Sequence, residues 1–334
     1  MTTPVPAIPG AHTSAVVGPL IRDAQMHVYR PTEPVEVTVV KNEICMLKKS
    51  ASIVRDIQFD VSGTKLSGMC QPGQALGVLP DARALNNGID PKTGKPHKLR
   101  LYSFSHPTRG HDGAGNVVSV TVKRTIDEHW DTNALFTGVA SNWLCDRRVG
   151  DKVKVSGPNG KKFLLPKQPN DHDYVFVATG TGVAPFRGMI VDLIEAKVTS
   201  RIFLIMGVPY STDLLYHDFL LKMSQENPNF SYITAVSREK NGSHDRLYVQ
   251  DRFRTERDML LPFLANDRTL IYMCGLAGME LGVFQELAFN LNGSALQRYL
   301  EVDNEAMRDI RRWNRQMIHK QVRPSSNILM EVYA

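Results

Sequence analysis

Residues 174–185 read Tyr-Val-Phe-Val-Ala-Thr-Gly-Thr-Gly-Val-Ala-Pro, and this stretch decides the fold of the second half of the chain. It opens with an apolar, β-rich run that is typical of a buried strand. The glycines that follow permit a tight turn, and proline suits a first helical turn. A strand that turns through glycines into a helix offers free N–H groups to a phosphate. Because Pro185 stands at the third glycine position of the usual G-x-G-x-x-G fingerprint, a plain strand-to-helix turn is the alternative interpretation.

The same rhythm of strand and helix continues to the end of the chain. Further strand-like runs follow at residues 201–206, 230–236, 270–274 and 328–332. Helical patterns lie at residues 185–197, 279–290 and 295–319. This alternation predicts an α/β doubly wound parallel sheet, with ligands at the carboxyl ends of its strands.

The first half of the chain has a different pattern. Short β-rich runs, separated by glycine, proline and asparagine, occur at residues 35–40, 52–59, 117–122 and 153–155. Such runs predict a small antiparallel β-barrel, which residues 79–98 interrupt as an exposed basic loop. We therefore expect a mobile N-terminal arm at residues 1–34, an antiparallel β-barrel domain at 35–166 and a parallel-sheet α/β domain at 167–334.

The composition is that of a globular protein with two domains. The 334 residues suffice for two domains of about 150 residues each. Hydrophobic residues make up 42% and charged residues 22%, a balance that supports buried cores. The net charge of +6 favours acidic partners. Nucleic acid is disfavoured as a partner, because the sequence contains no helix-turn-helix, finger or arginine-rich tract.

The cysteines and the apolar runs bear on metal binding and location. The 4 cysteines form no Cys-x-x-Cys pair, so their spacing indicates no metal site. Scattered thiols fit a reducing, cytoplasmic environment, although the scarcity of acidic residues in the arm leaves organelle targeting open. No apolar run reaches the roughly 20 residues that span a bilayer. We expect a monomer without an integral membrane span.

Arg100-Leu101-Tyr102-Ser103 is the first motif that carries chemistry. The planar fork of an arginine can clamp a pyrophosphate, and a tyrosine ring can lie flat against an aromatic ring system. A serine hydroxyl can form a hydrogen bond with a ring nitrogen. The motif is short, and an ordinary edge strand is the alternative interpretation.

Two further motifs follow predicted strands of the second domain. Ser237-Arg238 comes directly after one strand, and with Arg246 and Tyr248 it can grip a ribose 2′-phosphate while the tyrosine stacks on adenine. A site for NAD would instead place an acid near that ribose, and a charged loop is the alternative. Cys274 ends another strand, where it is either a small buried residue or a neighbour of a nicotinamide.

The order and spacing of these motifs resemble the plant-type ferredoxin–NADP(H) reductases, from about residue 29 to the end. The matching stretches are residues 72–74, 94–103, 122–124, 138–146, 180–187, 236–239, 248–250 and 273–280. The resemblance implies an FAD-binding barrel followed by an NADP-binding α/β domain. It also implies hydride transfer between NADP(H) and FAD, coupled to one-electron exchange with ferredoxin or flavodoxin.

The resemblance assigns roles to individual residues. The residues implied to hold FAD are Arg100, Tyr102, Ser103 and Ser141. Those implied to approach the NADP phosphates and nicotinamide are Thr181, Gly182 and Lys123. The 2′-phospho-adenosine end is implied to bind Ser237, Arg238, Arg246 and Tyr248. The implied catalytic residues are Ser103, Cys274 and Glu331, with Tyr333 stacked on the flavin until nicotinamide displaces it. The other implied cofactor-binding residues are Leu101, Val122, Gly138, Val139, Ala140, Gln250, Gly275, Leu276 and Glu280, and the partner-docking residues are Lys92, Lys95 and Lys98.

The sequence departs from the family pattern at informative positions. Asp127 stands where the family has an aromatic residue that stacks on the FAD adenine. Either His129 or Trp130 replaces it, or the adenine is held weakly. Ala140 replaces a family cysteine, Arg246 a family lysine, and Ala334 extends the chain beyond the last aromatic residue. Two alternative functions remain: an NADPH-dependent reductase component of an oxygenase or other dedicated acceptor system, and a non-catalytic flavin-binding module. The joint presence of Ser103, Cys274 and Glu331 disfavours the module.

Overall fold

The computed structural model describes residues 18–129, 131–240 and 246–333. Most of the predicted arm, residues 1–17, lies outside the described residues, as do Trp130 and Ala334. Within the described part, an antiparallel sheet precedes a parallel sheet that carries helices on both faces.

The strands and helices follow one another in chain order. The strands are β1 (Val35–Ile44), β2 (Val54–Asp60), β3 (Ala75–Leu79), β4 (Ile89–Asp90), β5 (Lys95–Pro96), β6 (Arg100–Ser103), β7 (Val117–Lys123), β8 (Ile126–Glu128), β9 (Leu135–Thr137), β10 (Lys152–Asn159), β11 (Asp173–Thr179), β12 (Ile202–Val208), β13 (Phe230–Val236), β14 (Thr269–Leu276), β15 (Leu300–Val302), β16 (Val322–Pro324) and β17 (Ile328–Tyr333). The helices are α1 (Val139–Cys145), α2 (Val183–Glu195), α3 (His217–Glu226), α4 (Asp251–Thr255), α5 (Arg257–Ala265), α6 (Met279–Asn290), α7 (Gly293–Gln297) and α8 (Asn304–Met307).

The first sheet closes on itself as the predicted barrel. Its strands lie in the order β6-β3-β10-β1-β2-β7, and every neighbouring pair is antiparallel. An antiparallel bridge between Phe104 and Val120 joins the end of β6 to β7 and closes the ring. Alternate side chains along the strands point inward and form a buried apolar core that includes Val37, Ile57 and Phe59. This confirms the barrel prediction.

The second sheet is parallel, as predicted. Its order is β13-β12-β11-β14-β17, and each pairing is parallel. One face packs against α2 and α3 through a cluster that includes Phe176 and Phe186, and the other packs against α5 and α6 through a cluster that includes Ile271 and Phe284. Strands buried on both faces explain the nearly continuous apolar runs in the sequence. The carboxyl ends of these strands share one edge, where ligands bind in such folds.

The prediction of a long helix at residues 295–319 is wrong. The segment forms α7, β15, α8 and short turns, and β15 pairs with β16. Tyr299 is fully buried, and its hydroxyl donates to the Leu264 carbonyl oxygen at 2.9 Å. Tertiary packing of Tyr299 and Leu300 and pairing with a distant strand therefore override the local helical pattern.

The described part of the arm, residues 18–34, is bound to both domains. Tyr29 forms an antiparallel bridge with Gly157 of the barrel. Arg22 donates to the buried carboxylate of Asp192 on α2 at 3.1 Å, and Thr108 of the barrel donates to the same carboxylate through its backbone N–H at 2.7 Å. These contacts contrast with the mobility expected from composition, because backbone and side-chain groups of the arm have partners in the folded body.

Candidate functional site

The turn after β11 lies directly against the end of β14. A Cβ atom on Gly182 would come within 2.0 Å of the Cys274 carbonyl oxygen, and one on Gly275 within 2.1 Å of Thr179 Oγ1. Only glycine fits at either position, because any side chain would collide with the facing segment. The Thr179 hydroxyl also accepts a hydrogen bond from the Leu276 N–H at 2.8 Å. The two loops thus form a backbone-lined cradle at the carboxyl edge of the sheet.

The C-terminal strand brings its last residues to this cradle. Its register places Glu331 beside Cys274 and Tyr333 beside Leu276. The Tyr333 hydroxyl lies 2.7 Å from the Thr181 Oγ1, so the ring is fixed against the cradle. Leu276 is 61% exposed, which leaves an apolar surface next to the ring. The structure therefore brings together Thr181, Cys274, Glu331 and Tyr333, which are far apart in the sequence.

Burial controls the protonation of two groups at this site. Cys274 is buried, and burial raises its pKa far above the ordinary value, with the neighbouring Glu331 adding to the shift. Burial also raises the pKa of Glu331 to about 7. The cysteine therefore remains a neutral thiol, whereas the carboxyl can hold or release a proton near neutral pH.

The barrel contributes the edge strand β6, which pairs with β3 and carries exposed and partly buried residues. Ser103 pairs with Ala75 and Tyr102 with Leu76 in the register. Leu101 is 56% exposed. Within the described residues, the exposed Arg100 guanidinium donates only to the carbonyl oxygens of Lys98 and Leu99, at 3.4 and 3.2 Å. Burial raises the pKa of Tyr102, so its phenol stays neutral. An arginine that binds only neighbouring backbone oxygens is available to an anionic ligand.

The start of α1 forms a compact turn with the end of β7. Asn142 donates to the carbonyl oxygens of Thr125 and Gly138 at 2.8 and 2.7 Å. Ser141 is buried, and its hydroxyl accepts a hydrogen bond from the Thr125 N–H at 3.2 Å. The Ser141 side chain thus fixes this turn. The N–H groups of the first helical turn, at Val139 and Ala140, have no intrahelical acceptor and can bind phosphate oxygens.

An exposed hairpin between β7 and α1 carries an aromatic residue that the sequence analysis missed. In the pairing of β8 with β9, Phe136 lies directly opposite Asp127. Opposite residues of an antiparallel pair point to the same face, so Phe136 offers its ring where the side chain of Asp127 points. Its ring is 52% exposed. The signal in the sequence was only the short run Leu135-Phe136-Thr137, which predicts neither a strand nor a partner. His129 follows β8 and is exposed.

The predicted 2′-phosphate residues lie near the end of β13: Ser237 and Arg238 follow it directly, and Arg246 and Tyr248 flank Leu247, whose N–H donates to the Val236 carbonyl oxygen at 2.9 Å. The Ser237 N–H donates to the Val208 carbonyl oxygen at 3.0 Å, which joins the two loops. Arg238 and Arg246 are exposed, and Tyr248 is 58% exposed. Gln250 differs from these residues, because its side chain packs where Gly282 leaves space, so it supports α6.

The remaining predicted residues are placed as follows. Glu280 is buried and accepts from the Gly278 N–H at 2.6 Å and from the Arg315 side chain at 3.2 Å, so it orders the loop after β14. Val122 is buried in the barrel core and Lys123 is exposed at the end of β7. The lysines of the basic loop, Lys92, Lys95 and Lys98, are exposed around β4 and β5. The barrel strand β7 contacts the turn of residues 180–182, so the two domains meet at the cradle.

The described residues offer neither a metal-binding cluster nor a membrane-spanning helix. No cluster of histidine, cysteine, aspartate or glutamate side chains in this part of the chain could hold a metal ion. Among the helices that the structure describes, none has the length and apolar character needed to cross a membrane.

A closed antiparallel barrel joined to a doubly wound sheet, with a backbone-lined cradle at their contact, is the architecture of a class of dinucleotide-dependent oxidoreductases. A family model described as an oxidoreductase NAD-binding domain matches residues 176–284. A ferredoxin–NADP reductase from Spirulina sp is 33% identical over 291 residues, which cover 84% of this chain and 96% of that protein. The chain belongs to the ferredoxin–NADP reductase family.

Other relatives agree with this assignment. The chloroplastic leaf isozyme 1 of ferredoxin–NADP reductase from Arabidopsis thaliana is 42% identical over 218 residues, which cover 63% of this chain. The match spans only 58% of the length of that plant relative. A solved structure of ferredoxin–NADP+ reductase from Plasmodium falciparum is 19% identical, with a TM-score of 0.66 over 92% of this chain and 99% of that one, and shows the same fold.

The residues of the site fit the cofactors of the family, FAD and NADP(H). The barrel side offers the available Arg100 guanidinium, the aromatic Tyr102 and the exposed apolar Leu101, a donor set for a pyrophosphate and a flat ring. The sheet side offers the turn at Gly180, where a Cβ atom would meet nothing within 4 Å, and the first turn of α2, whose N–H groups can bind the phosphates of a second dinucleotide.

Proposed function

We propose that the protein transfers electrons between NADPH and an acidic one-electron carrier, ferredoxin or flavodoxin. The observation that carries this proposal is the meeting of Thr181, Cys274, Glu331 and Tyr333 at one cradle beside the barrel. FAD, when bound, takes electrons in pairs from a nicotinamide and releases them singly, which suits such a junction. The protein supplies binding, orientation and proton control.

The second domain would bind and orient NADPH. Arg238 and Arg246 can pair with the 2′-phosphate through charge-assisted hydrogen bonds, and the exposed ring of Tyr248 can stack on adenine. Two guanidinium groups favour a phosphate over the plain hydroxyl of NADH, so they would select NADPH. Thr181 and Gly182 would receive the pyrophosphate on backbone N–H groups.

Tyr333 would act as the cover of the reacting position. Its hydrogen bond with Thr181 holds the ring in place until nicotinamide takes that place. Ser103, Cys274 and Glu331 would then surround the path of the hydride, and the Ser103 hydroxyl would donate a hydrogen bond to a ring nitrogen of the flavin. Glu331 can keep a proton close by at neutral pH because burial raises its pKa to about 7.

The basic loop would guide the carrier protein. In the part of the chain that the structure describes, Lys92, Lys95 and Lys98 form no ion pair, so their charges are available to an acidic surface. Charge complementarity raises the rate of encounter more than it raises affinity. A reductase that serves an oxygenase would use the same site. Comparing the rates of electron transfer to ferredoxin, to flavodoxin and to an oxygenase component distinguishes the two functions. We also propose that the protein is a monomer in the cytoplasm.

The decisive experiment begins with the colour of the purified protein. A flavin absorption spectrum, bleached by NADPH at much lower concentration than by NADH, supports the proposal. Reduced protein should then pass electrons to ferredoxin or flavodoxin in single-electron steps, which can be followed at the carrier's own absorption bands. A colourless protein that takes up no FAD, or one that reacts equally with NADPH and NADH, would contradict it.

A further inference from the structure

Tyr210 lies at the sheet edge where the predicted 2′-phosphate residues gather. It follows β12 by two residues, and β12 pairs in parallel with β13, with Val208 opposite Val236. The segments that leave these two strands are joined by a hydrogen bond from the Arg238 N–H to the Pro209 carbonyl oxygen at 2.9 Å. Tyr210 and Arg238 therefore leave the sheet side by side.

The ring of Tyr210 faces the side chain of Arg238. The guanidinium carbon lies 6.0 Å from the ring centroid, and the tyrosine is 38% exposed. A second hydrogen bond, from the Ser211 N–H to the Glu239 carboxylate at 3.1 Å, also joins the two loops. Among the described residues, Arg238 has no hydrogen bond or ion pair for its guanidinium, so the ring of Tyr210 is the contact that orients it.

We propose that Tyr210 is a positioning residue for NADP specificity, which acts by holding the Arg238 guanidinium ready for the 2′-phosphate. A guanidinium that lies over an aromatic face keeps its N–H edges free for phosphate oxygens. It also loses less conformational freedom when the ligand binds. This inference rests on the proposed function and adds a residue that neither the motifs nor the charges of the sequence indicate.

Binding of two small probes to the flavin-loaded protein tests the proposal. The probes are 2′,5′-ADP, which carries the 2′-phosphate, and 5′-AMP, which lacks it. We expect Tyr210→Leu to weaken 2′,5′-ADP about three- to fivefold, the size of one exposed cation–π contact, and to leave 5′-AMP within about twofold. Tyr210→Phe keeps the ring and should bind both probes like the wild type. The exposed Phe289 on α6 gives a matched control, Phe289→Leu.

The outcomes separate the inference from the proposed function. Equal weakening of both probes in Tyr210→Leu, or weakening of neither, would overturn the role of Tyr210 while leaving the 2′-phosphate site intact. Loss of 2′,5′-ADP binding in Tyr210→Phe would also overturn it, because the hydroxyl rather than the ring would then be needed. A wild type that binds 5′-AMP as tightly as 2′,5′-ADP would overturn both the inference and NADPH selection.

Discussion

The proposed role of Ser103 in hydride transfer can be measured separately from its contribution to FAD binding. Ser103 is one of several FAD contacts proposed on β6, so its hydroxyl adds little to affinity, yet it is the one assigned to the reacting ring nitrogen. We expect Ser103→Ala to slow reduction by NADPH about ten- to a hundredfold, the loss of one hydrogen bond that strengthens in the transition state. Stopped-flow absorption measures the rate, and dialysis measures FAD retention. Equal rates in the variant and wild type would reject this role.

Glu331 should make stability depend on pH. Burial raises its pKa from the ordinary 4.5 to about 7. The folded state therefore binds the proton more tightly than the unfolded chain. This contribution to stability is full below pH 4.5 and is lost as the pH rises through about 7. We expect the free energy of unfolding to fall more between about pH 5 and 8 in the wild type than in Glu331→Gln. Urea denaturation at several pH values measures these free energies. If the free energy of unfolding changed with pH equally in the wild type and in Glu331→Gln, the assignment to Glu331 would be wrong.

At the scale of elements, the β8–β9 hairpin makes a prediction about FAD. Phe136 lies opposite Asp127 on the hairpin and is half exposed. If it stacks on the adenine, Phe136→Ala should weaken FAD about tenfold and leave FMN unchanged, because FMN lacks adenine. Fluorescence titration of the apoprotein with each flavin measures both affinities. Leu135→Ala, on the other face of the hairpin, is the control. A larger effect in His129→Ala would instead support the residue expected from the sequence.

The strands and helices also show how much of the fold could be predicted from the sequence. The five strands of the parallel sheet, most strands of the barrel, and helices α2 and α6 were predicted because their apolar periodicity is local, whereas β3 was not predicted. Phe136 and Tyr210 were missed because their roles depend on cross-strand register and on two loops meeting, which no local pattern encodes. The segment after α6 was misread for the same reason, since the strand β15 exists only through its pairing with β16. The meeting of Cys274 with Glu331 was expected only from the family resemblance.

At the scale of the whole molecule, Asp192 connects the arm, the barrel and α2. It is 8% exposed and accepts hydrogen bonds from Arg22 and from the N–H and hydroxyl of Thr108. Asp192→Ala should lower the free energy of unfolding by about 3 kcal/mol, since it leaves buried donors without an acceptor. Urea denaturation measures the change. The exposed Asp267, whose side chain forms no hydrogen bond within the described residues, provides Asp267→Ala as a control that should change little.

The charge of the whole molecule should govern its reaction with the carrier protein. Screening by salt weakens steering between a basic loop and an acidic partner. We expect the rate of carrier reduction to fall severalfold as ionic strength rises, and to fall less when Lys92, Lys95 and Lys98 are all replaced by glutamine. Steady-state assays with the carrier measure this, and a small uncharged acceptor gives the reference. A flat salt profile in the wild type would argue against this docking surface.

The backbone contact of Gly182 and Gly275 has a consequence for biocatalysis, where the cheaper coenzyme NADH is preferred. Gly182 and Gly275 contribute only backbone to the cradle, and neither position tolerates a side chain. We therefore expect coenzyme choice to depend on the proposed binding site for the ribose phosphate and not on these two glycines. Libraries for a switch of coenzyme should diversify positions 210, 238 and 246 and leave both glycines untouched.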